Sequence, residues 1–221
     1  TNNNALSITA SDLSLTGSIN TGTSATTLNV TNSGALGLGF SSGFSGMNVS
    51  NSELALITGN LNLINSNITA AAGTSVSLTG KLVIGESGGS ITGQGSMTLA
   101  STKGLAVDSS INTTGNLSLE GDSNNSSETS DGITIASGVS LTSSAGTITL
   151  DATNGGVTSP GSLTLNASGV INLNDNLSTT GSILIKSNGL NIGGTTLSSG
   201  TASTTIQTSV AGTTVGLCGA V

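Results

Sequence analysis

Residues 161–200 read GSLTLNASGVINLNDNLSTTG and then SILIKSNGLNIGGTTLSSG. The two halves correspond position by position. Leu163 and Leu165 answer to Ile183 and Ile185, Ile171 and Leu173 to Leu190 and Ile192, and Leu177 to Leu197. Apolar residues two apart mark a strand with one buried face. The Gly, Asn, Ser and Thr between the pairs supply corners. A unit of about 20 residues that repeats at once cannot bury its apolar face alone, and stacking on its neighbour solves that. The expected fold is all-β: a parallel β-helix, or solenoid, with three short strands per coil. At about 20 residues per coil the chain would make about 11 coils. Adjacent strands lie ~4.8 Å apart, so the rod would be roughly 50 Å long.

The phrase Gly-x-Φ-x-Φ, with Φ an aliphatic residue, recurs at 59–63, 80–84, 95–99, 115–119, 146–150, 161–165 and 181–185. Its spacings are 21, 15, 20, 31, 15 and 20, which read as coils with corner insertions. Glycine at the head of the phrase suits a corner that needs φ > 0. The Φ pair points inward and the residue between them outward. Pro160 precedes the Gly161 corner, where a missing N–H breaks no ladder. The longest spacing holds the most polar segment, 120–131, expected as a wholly solvated protruding loop. Phe40 and Phe44, the only aromatic residues, lie in a Gly/Ser-rich turn.

The whole chain, 1–221, reads as one continuous segment. Residues 5–40 and 182–218 echo one another, with GTSATTL at 22–28 against GTASTTI at 200–206. The echo points to a long repeat of about 178 residues. Neither end offers a helix or a charge-rich stretch to cap an open sheet edge. Another coil is therefore expected to continue there, from the same chain or from a neighbour.

Composition narrows the function. Charged residues make up 6% and aromatics 1%, with 3 Lys, no Arg, no His and a net charge of −7. Phosphate backbones are bound by Lys and Arg, so nucleic acid is not an expected partner. No apolar run approaches the ~20 residues that span a bilayer, so membrane insertion is not expected either. General acid–base chemistry has few groups to use, and Glu53, Glu86, Asp108, Asp151 and Asp175 fall on separate coils. The chain is expected not to be an enzyme and to need no cofactor.

The Gly-rich Ala35-Leu-Gly-Leu-Gly39 segment, then Ser52-Glu-Leu-Ala-Leu-Ile57, then Gly59-Asn-Leu-Asn-Leu63, resembles the repeat region of filamentous haemagglutinin-type, two-partner-secreted large exoproteins. The resemblance is motif-like over about 30 residues. It implies a right-handed β-helix, export to the cell surface or medium, and a role as adhesin or surface fibre. On this reading the chain is a stiff structural segment of a giant secreted fibre or adhesin stalk. Its partner would be itself, end to end, with a glycan or host-surface ligand as a further partner. The alternatives are a glycosylated eukaryotic extracellular filament and a β-helix module that binds glycan or calcium.

Three sets of residues are candidate sites. Glu120, Asp122, Asn124, Glu128 and Asp131 place hard oxygen ligands in one loop, as calcium prefers. Against this, the Gly at position six is missing and Ile133 stands where a bidentate Glu would be. Asn29, Asn48, Asn67, Asn112, Asn116, Asn124, Asn125, Asn166 and Asn176 begin Asn-x-Ser/Thr sequons and would accept N-glycans in a eukaryotic secretory pathway. Such sequons are frequent in any chain this rich in Asn, Ser and Thr. Cys218 has no internal partner, and is either a buried hydrophobe or one half of an intermolecular disulfide. An ice-binding face would need ordered Thr-x-Thr rows, and Thr147-Ile-Thr149 is not repeated coil after coil.

Overall fold

The computed structural model describes residues 3–31, 34–125, 131–193 and 196–214. They form a parallel β-solenoid of about eight turns with three strands per turn. The stretch 161–200 stacks as its sequence indicates. Leu163 and Leu165 pair with Ile183 and Ile185, Ile171 and Leu173 with Leu190 and Ile192, and Leu177 with Leu197. These three pairings lie in the second, third and first sheets respectively, and every complete turn visits the sheets in the order first, second, third.

The count is about eight turns and not 11, so the rod is roughly 40 Å long. Two features account for the difference. Along the first sheet Leu61, Leu82, Leu105, Ile133, Val157, Leu177 and Leu197 stack in register. Only the last two steps of this ladder are as short as the repeat unit within 161–200; every earlier step is longer, and Leu105 to Ile133 is the longest. The chain before Ile57 also builds fewer turns than its length suggests. Ile19–Val30 stays in the first sheet with a bulge between Asn20 and Ala25, and Leu36–Leu38 and Met47–Val49 lie side by side in the second.

The irregular phrase spacing has a geometric cause. The phrase lies on the first sheet at 61–63 and 82–84, on the third at 97–99, 117–119 and 148–150, and on the second at 163–165 and 183–185. The two short steps, Gly80 to Gly95 and Gly146 to Gly161, each cover only part of a turn. The phrase jumps faces there, and no corner insertion is needed. The echoed stretches also lie on different faces. Leu6 and Ile8 are in the first sheet, whereas Ile183 and Ile185 are in the second. Gly22 (φ 64°) helps form the bulge, and Gly200 (φ 59°) turns a corner into the next sheet.

The interior is a column of aliphatic side chains in one continuous cluster from Leu28 to Ile185. It is closed at the corners by inward hydroxyls. Ser101 Oγ lies within hydrogen-bond distance of Gly80 O and Gly104 O and shares its one proton between them, Thr113 Oγ1 donates to Gly115 O at 2.9 Å, and Thr179 Oγ1 to Gly181 O at 2.6 Å. All three residues are buried. A Ser or Thr two or three residues before the carbonyl it caps meets a buried acceptor that would otherwise cost about 1–3 kcal/mol.

The phrase glycines serve a purpose other than the expected one. Gly59 has φ 88°, but Gly80, Gly95, Gly115, Gly146, Gly161 and Gly181 are not in the positive-φ region. What excludes a side chain there is the turn before. A Cβ on Gly115 would lie 2.6 Å from Ser96 N, and one on Gly146 would lie 2.7 Å from Asn116 N. These partners are backbone atoms that cannot swing away. Gly115→Ala is therefore expected to destabilise the fold by about 1–3 kcal/mol through overpacking. Gly138→Ala, where φ is 77° and nothing approaches within 4 Å, should act through backbone strain alone. Urea unfolding of the two variants checks this, and a Gly115→Ala midpoint equal to wild type would refute the close-approach account.

Candidate functional site

Two grooves and one buried polar cluster gather the chain's few functional side chains. The first groove, of about 420 Å³, lies beside the helix Asn51–Leu54 and is lined by Asp12, Phe44, Asn48 and Glu53 among others. Among the described residues this helix is the only one. Ser50 and Glu53 form a capping box, and Leu54 is buried. The helix sits over Thr74–Leu78, the end strand of the third sheet. Asn51 Oδ1 accepts from Ser75 N at 3.1 Å, and Asn51 Nδ2 donates to Gly73 O at 3.4 Å. One side-chain amide thus stands in for a neighbouring strand.

Asp12 does the same for the second sheet. Its Oδ1 accepts from Asn48 N at 3.1 Å, on the end strand Met47–Val49, and from Leu13 N at 2.9 Å. This end of the rod therefore carries caps, contrary to the expectation from sequence. The reason is that Asn51 reaches 24 residues along the chain and Asp12 reaches 36, distances over which local sequence shows no link.

Asp12 and Glu53 are two carboxylates in one groove, so the arrangement required for glycoside cleavage can be tested against it. That chemistry needs one carboxyl held protonated by a raised pKa. Burial, together with the nearby Asp12 charge, pushes Glu53 up. Its hydrogen bonds push it down and prevail, so Glu53 lies below the ordinary glutamate value. Ser50 N donates to Glu53 Oε2 at 2.9 Å, Ser50 Oγ at 2.8 Å, and Leu15 N to Oε1 at 3.0 Å. Glu53 is thus built to accept hydrogen bonds as an anion, which suits a cap and not a general acid. Phe44 lines the groove and packs on Phe40 with ring centroids 4.9 Å apart, and the Phe44 ring covers Gly37 so closely that no Cβ would fit.

The polar segment 120–131 is not wholly solvated. Asp122 and Asp131 are buried, at 2% and 4% exposure. Each is matched from a neighbouring turn. Lys103 Nζ lies 3.5 Å from Asp131 Oδ2. Asn154 Nδ2 donates to Asp122 Oδ2 at 3.2 Å. The Asn124 amide, oriented to satisfy both its atoms, donates to Asp122 Oδ1 at 2.7 Å. Glu120 accepts from Ser118 Oγ. Of the calcium candidates, then, Asp122 and Asp131 are committed to protein partners, Glu120 lies beside Ser118, and Glu128 lies outside the described residues. Among the described residues no three His, Cys, Asp or Glu side chains come together as a metal site would require.

The sequons sort by environment. Asn29, Asn67, Asn112, Asn116 and Asn176 are exposed, Asn166 is half-buried, and Asn48 is half-buried with its amide donating to Phe40 O at 2.8 Å. Asn124 and Asn125 are exposed, but the hydroxyl residues of their sequons lie outside the described residues, as does Cys218. On the second sheet the outward positions stack as Asn67 and Thr69, Ser90 and Thr92, Ser110 and Asn112, Ser140 and Thr142, Thr164 and Asn166. This regularity is hidden in the sequence because the turns differ in length. Leu184 and Lys186 interrupt it in the next turn.

The second groove, of about 530 Å³, follows the corner before the first sheet and is lined by Lys81 and Lys103 with Asn and Thr side chains. Fold and sites together define a parallel β-solenoid with side-chain caps at one end. Compared with known proteins, the chain matches no family model, no curated protein and no solved structure.

Because Glu53 has a folded-state pKa below its unfolded value, its ionisation contributes stability that is fully present above the ordinary glutamate range. That stability is lost as pH falls through the folded value. Between about pH 5 and pH 3 the wild type should lose more stability than Glu53→Gln, measured as the urea midpoint at each pH; parallel profiles would refute this. Separately, Lys103→Gln leaves the buried Asp131 carboxylate without that counter-charge. It should destabilise the fold by about 1–3 kcal/mol, whereas the exposed Lys186→Gln should change it by less than about 0.5 kcal/mol. Equal unfolding midpoints for the two variants would show that the pair contributes nothing.

Proposed function

We propose that this chain is a structural segment of a secreted or cell-surface β-helical fibre or adhesin stalk, acting by shape. The observation that carries the reading is the contrast between the two ends of the described rod. At the first, Asp12 and Asn51 occupy sheet-edge hydrogen-bonding groups. At the other, core positions lose their cover. Leu190, Leu197 and Ile206 are half-buried, and Ile192 and Val210 are 40% and 49% exposed. Each belongs to, or closely follows, an aliphatic ladder that is fully buried one turn earlier. Apolar residues exposed along the edge of parallel strands are a template for further strands.

The rest of the rod supports a passive role. Its core is continuous, its charged residues are few, and the Asp12 and Glu53 carboxylates that share a groove are engaged as caps. A rod of this kind contributes length and stiffness, and its function is to hold another element at a distance. Stacking is confined to the last described turn, because the opposite end already has side chains on two of its three sheet edges.

Assembly is measurable. Light scattering with size exclusion and negative-stain microscopy should show concentration-dependent association of the 221-residue chain through its last described turn. Ile192→Lys and Val210→Lys together should abolish it without changing the melting temperature by more than a few degrees, roughly the effect of two surface substitutions. A chain that stays monomeric at millimolar concentration would sink the proposal.

A further inference from the structure

We propose that the corner groove beneath Lys81 binds short oligosaccharides that carry a carboxylate, that is, uronate-containing sugars. The inference is independent of the fibre reading. The chain has three cations and a net charge of −7, yet Lys81 and Lys103 line the same groove. They stand at one corner on neighbouring turns, which are ~4.8 Å apart, so their charges repel unless each is compensated. Asp131 compensates Lys103 at 3.5 Å. Lys81 is exposed, and its ammonium has no partner among the described residues. A bound carboxylate supplies that missing counter-charge.

The groove walls are held in place by the fold. The bulge at 21–24 forms one wall, fixed by Thr21 Oγ1 donating to Ser24 O at 2.9 Å. Asn60 ties this wall to the opposite one. Its Nδ2 donates to Thr23 O at 2.8 Å and its Oδ1 accepts from Lys81 N at 2.8 Å. Gly22, Gly59 and Gly80 complete the lining between the walls with backbone alone.

The lining distinguishes among anions. Thr23 and Thr79 add hydroxyls, and the lysine stems and threonine methyls add C–H surface suited to the apolar face of a sugar ring. No aromatic ring lines the groove, so a nucleobase has nothing to stack on. A long polyanion would be repelled by the net negative rod, whereas a short ligand with one to three charges is only weakly so.

Calorimetry and 1H–15N shift perturbation of the 221-residue chain with trigalacturonate, with its uncharged methyl ester and with inorganic phosphate test the proposal. Trigalacturonate should bind with shifts centred on Lys81, Thr23 and Gly80. The ester should bind roughly tenfold more weakly, as expected for loss of one charge-assisted contact. Lys81→Gln should weaken trigalacturonate by a similar factor while melting like wild type, and Lys186→Gln, on the second sheet, should bind as wild type does. Any of four results overturns the proposal: no binding of trigalacturonate at millimolar concentration, equal binding of the ester or of phosphate, unchanged binding by Lys81→Gln, or a loss of affinity in Lys186→Gln as large as that in Lys81→Gln.

Discussion

Every strand in this molecule depends on a parallel neighbour above and below to meet its backbone N–H and C=O groups. Within the rod the next turn supplies them, as in the unbroken register from Leu61 to Leu197 on the first sheet. At an end no turn is available, and each group left unmet and shielded from water costs about 1–3 kcal/mol. The structure meets this cost with side chains that imitate a strand: Asp12 on Asn48 N, and Asn51 on both Ser75 N and Gly73 O. Glu53 then ties the helix that carries Asn51 to the segment that follows Asp12, through Leu15 N. The two caps are thus linked through one carboxylate, whose hydrogen bonds hold its pKa below the ordinary glutamate value.

The same constraint dictates the small residues. Turns ~4.8 Å apart leave no room at a corner for a Cβ aimed at the preceding backbone. That is why Gly115, Gly146 and Gly181 head their phrases without positive φ. Carbonyls turned inward at corners cannot reach water, so Ser101, Thr113 and Thr179 meet them from inside. A composition of Gly, Ser, Thr and Asn that could be mistaken for disorder follows from stacking short strands with tight corners.

What is legible in the sequence depends on how local the physics is. Residues 161–200 disclose three faces because the turns Val157 to Leu177 and Leu177 to Leu197 are equal in length and their apolar pairs fall two apart. The turn count escapes a sequence reading because the Gly-x-Φ-x-Φ phrase is not tied to one face, and its shortest spacings are fractions of a turn. The caps are equally hidden, since Asp12 and Asn51 act across 36 and 24 residues. The burial within 120–131 is hidden for a related reason. A carboxylate in a polar run reads as solvated unless its partner is visible, and Lys103 and Asn154 each belong to a different turn from the acid they meet.

Those two buried acids bear on how a chain of near-uniform composition fixes its register. Sliding one turn against the next by two residues would keep every aliphatic residue facing inward, so the apolar pattern alone specifies register weakly. The turn from Leu105 to Ile133 is the longest in the first-sheet ladder and has the most room to slip. Burying Asp122 and Asp131 there is expensive unless Asn154, Asn124 and Lys103 are in reach. A slipped register would leave at least one carboxylate buried without its partner, at a cost of several kcal/mol. The aliphatic column thus supplies the drive to stack, and a few polar contacts between turns select which stacking is adopted.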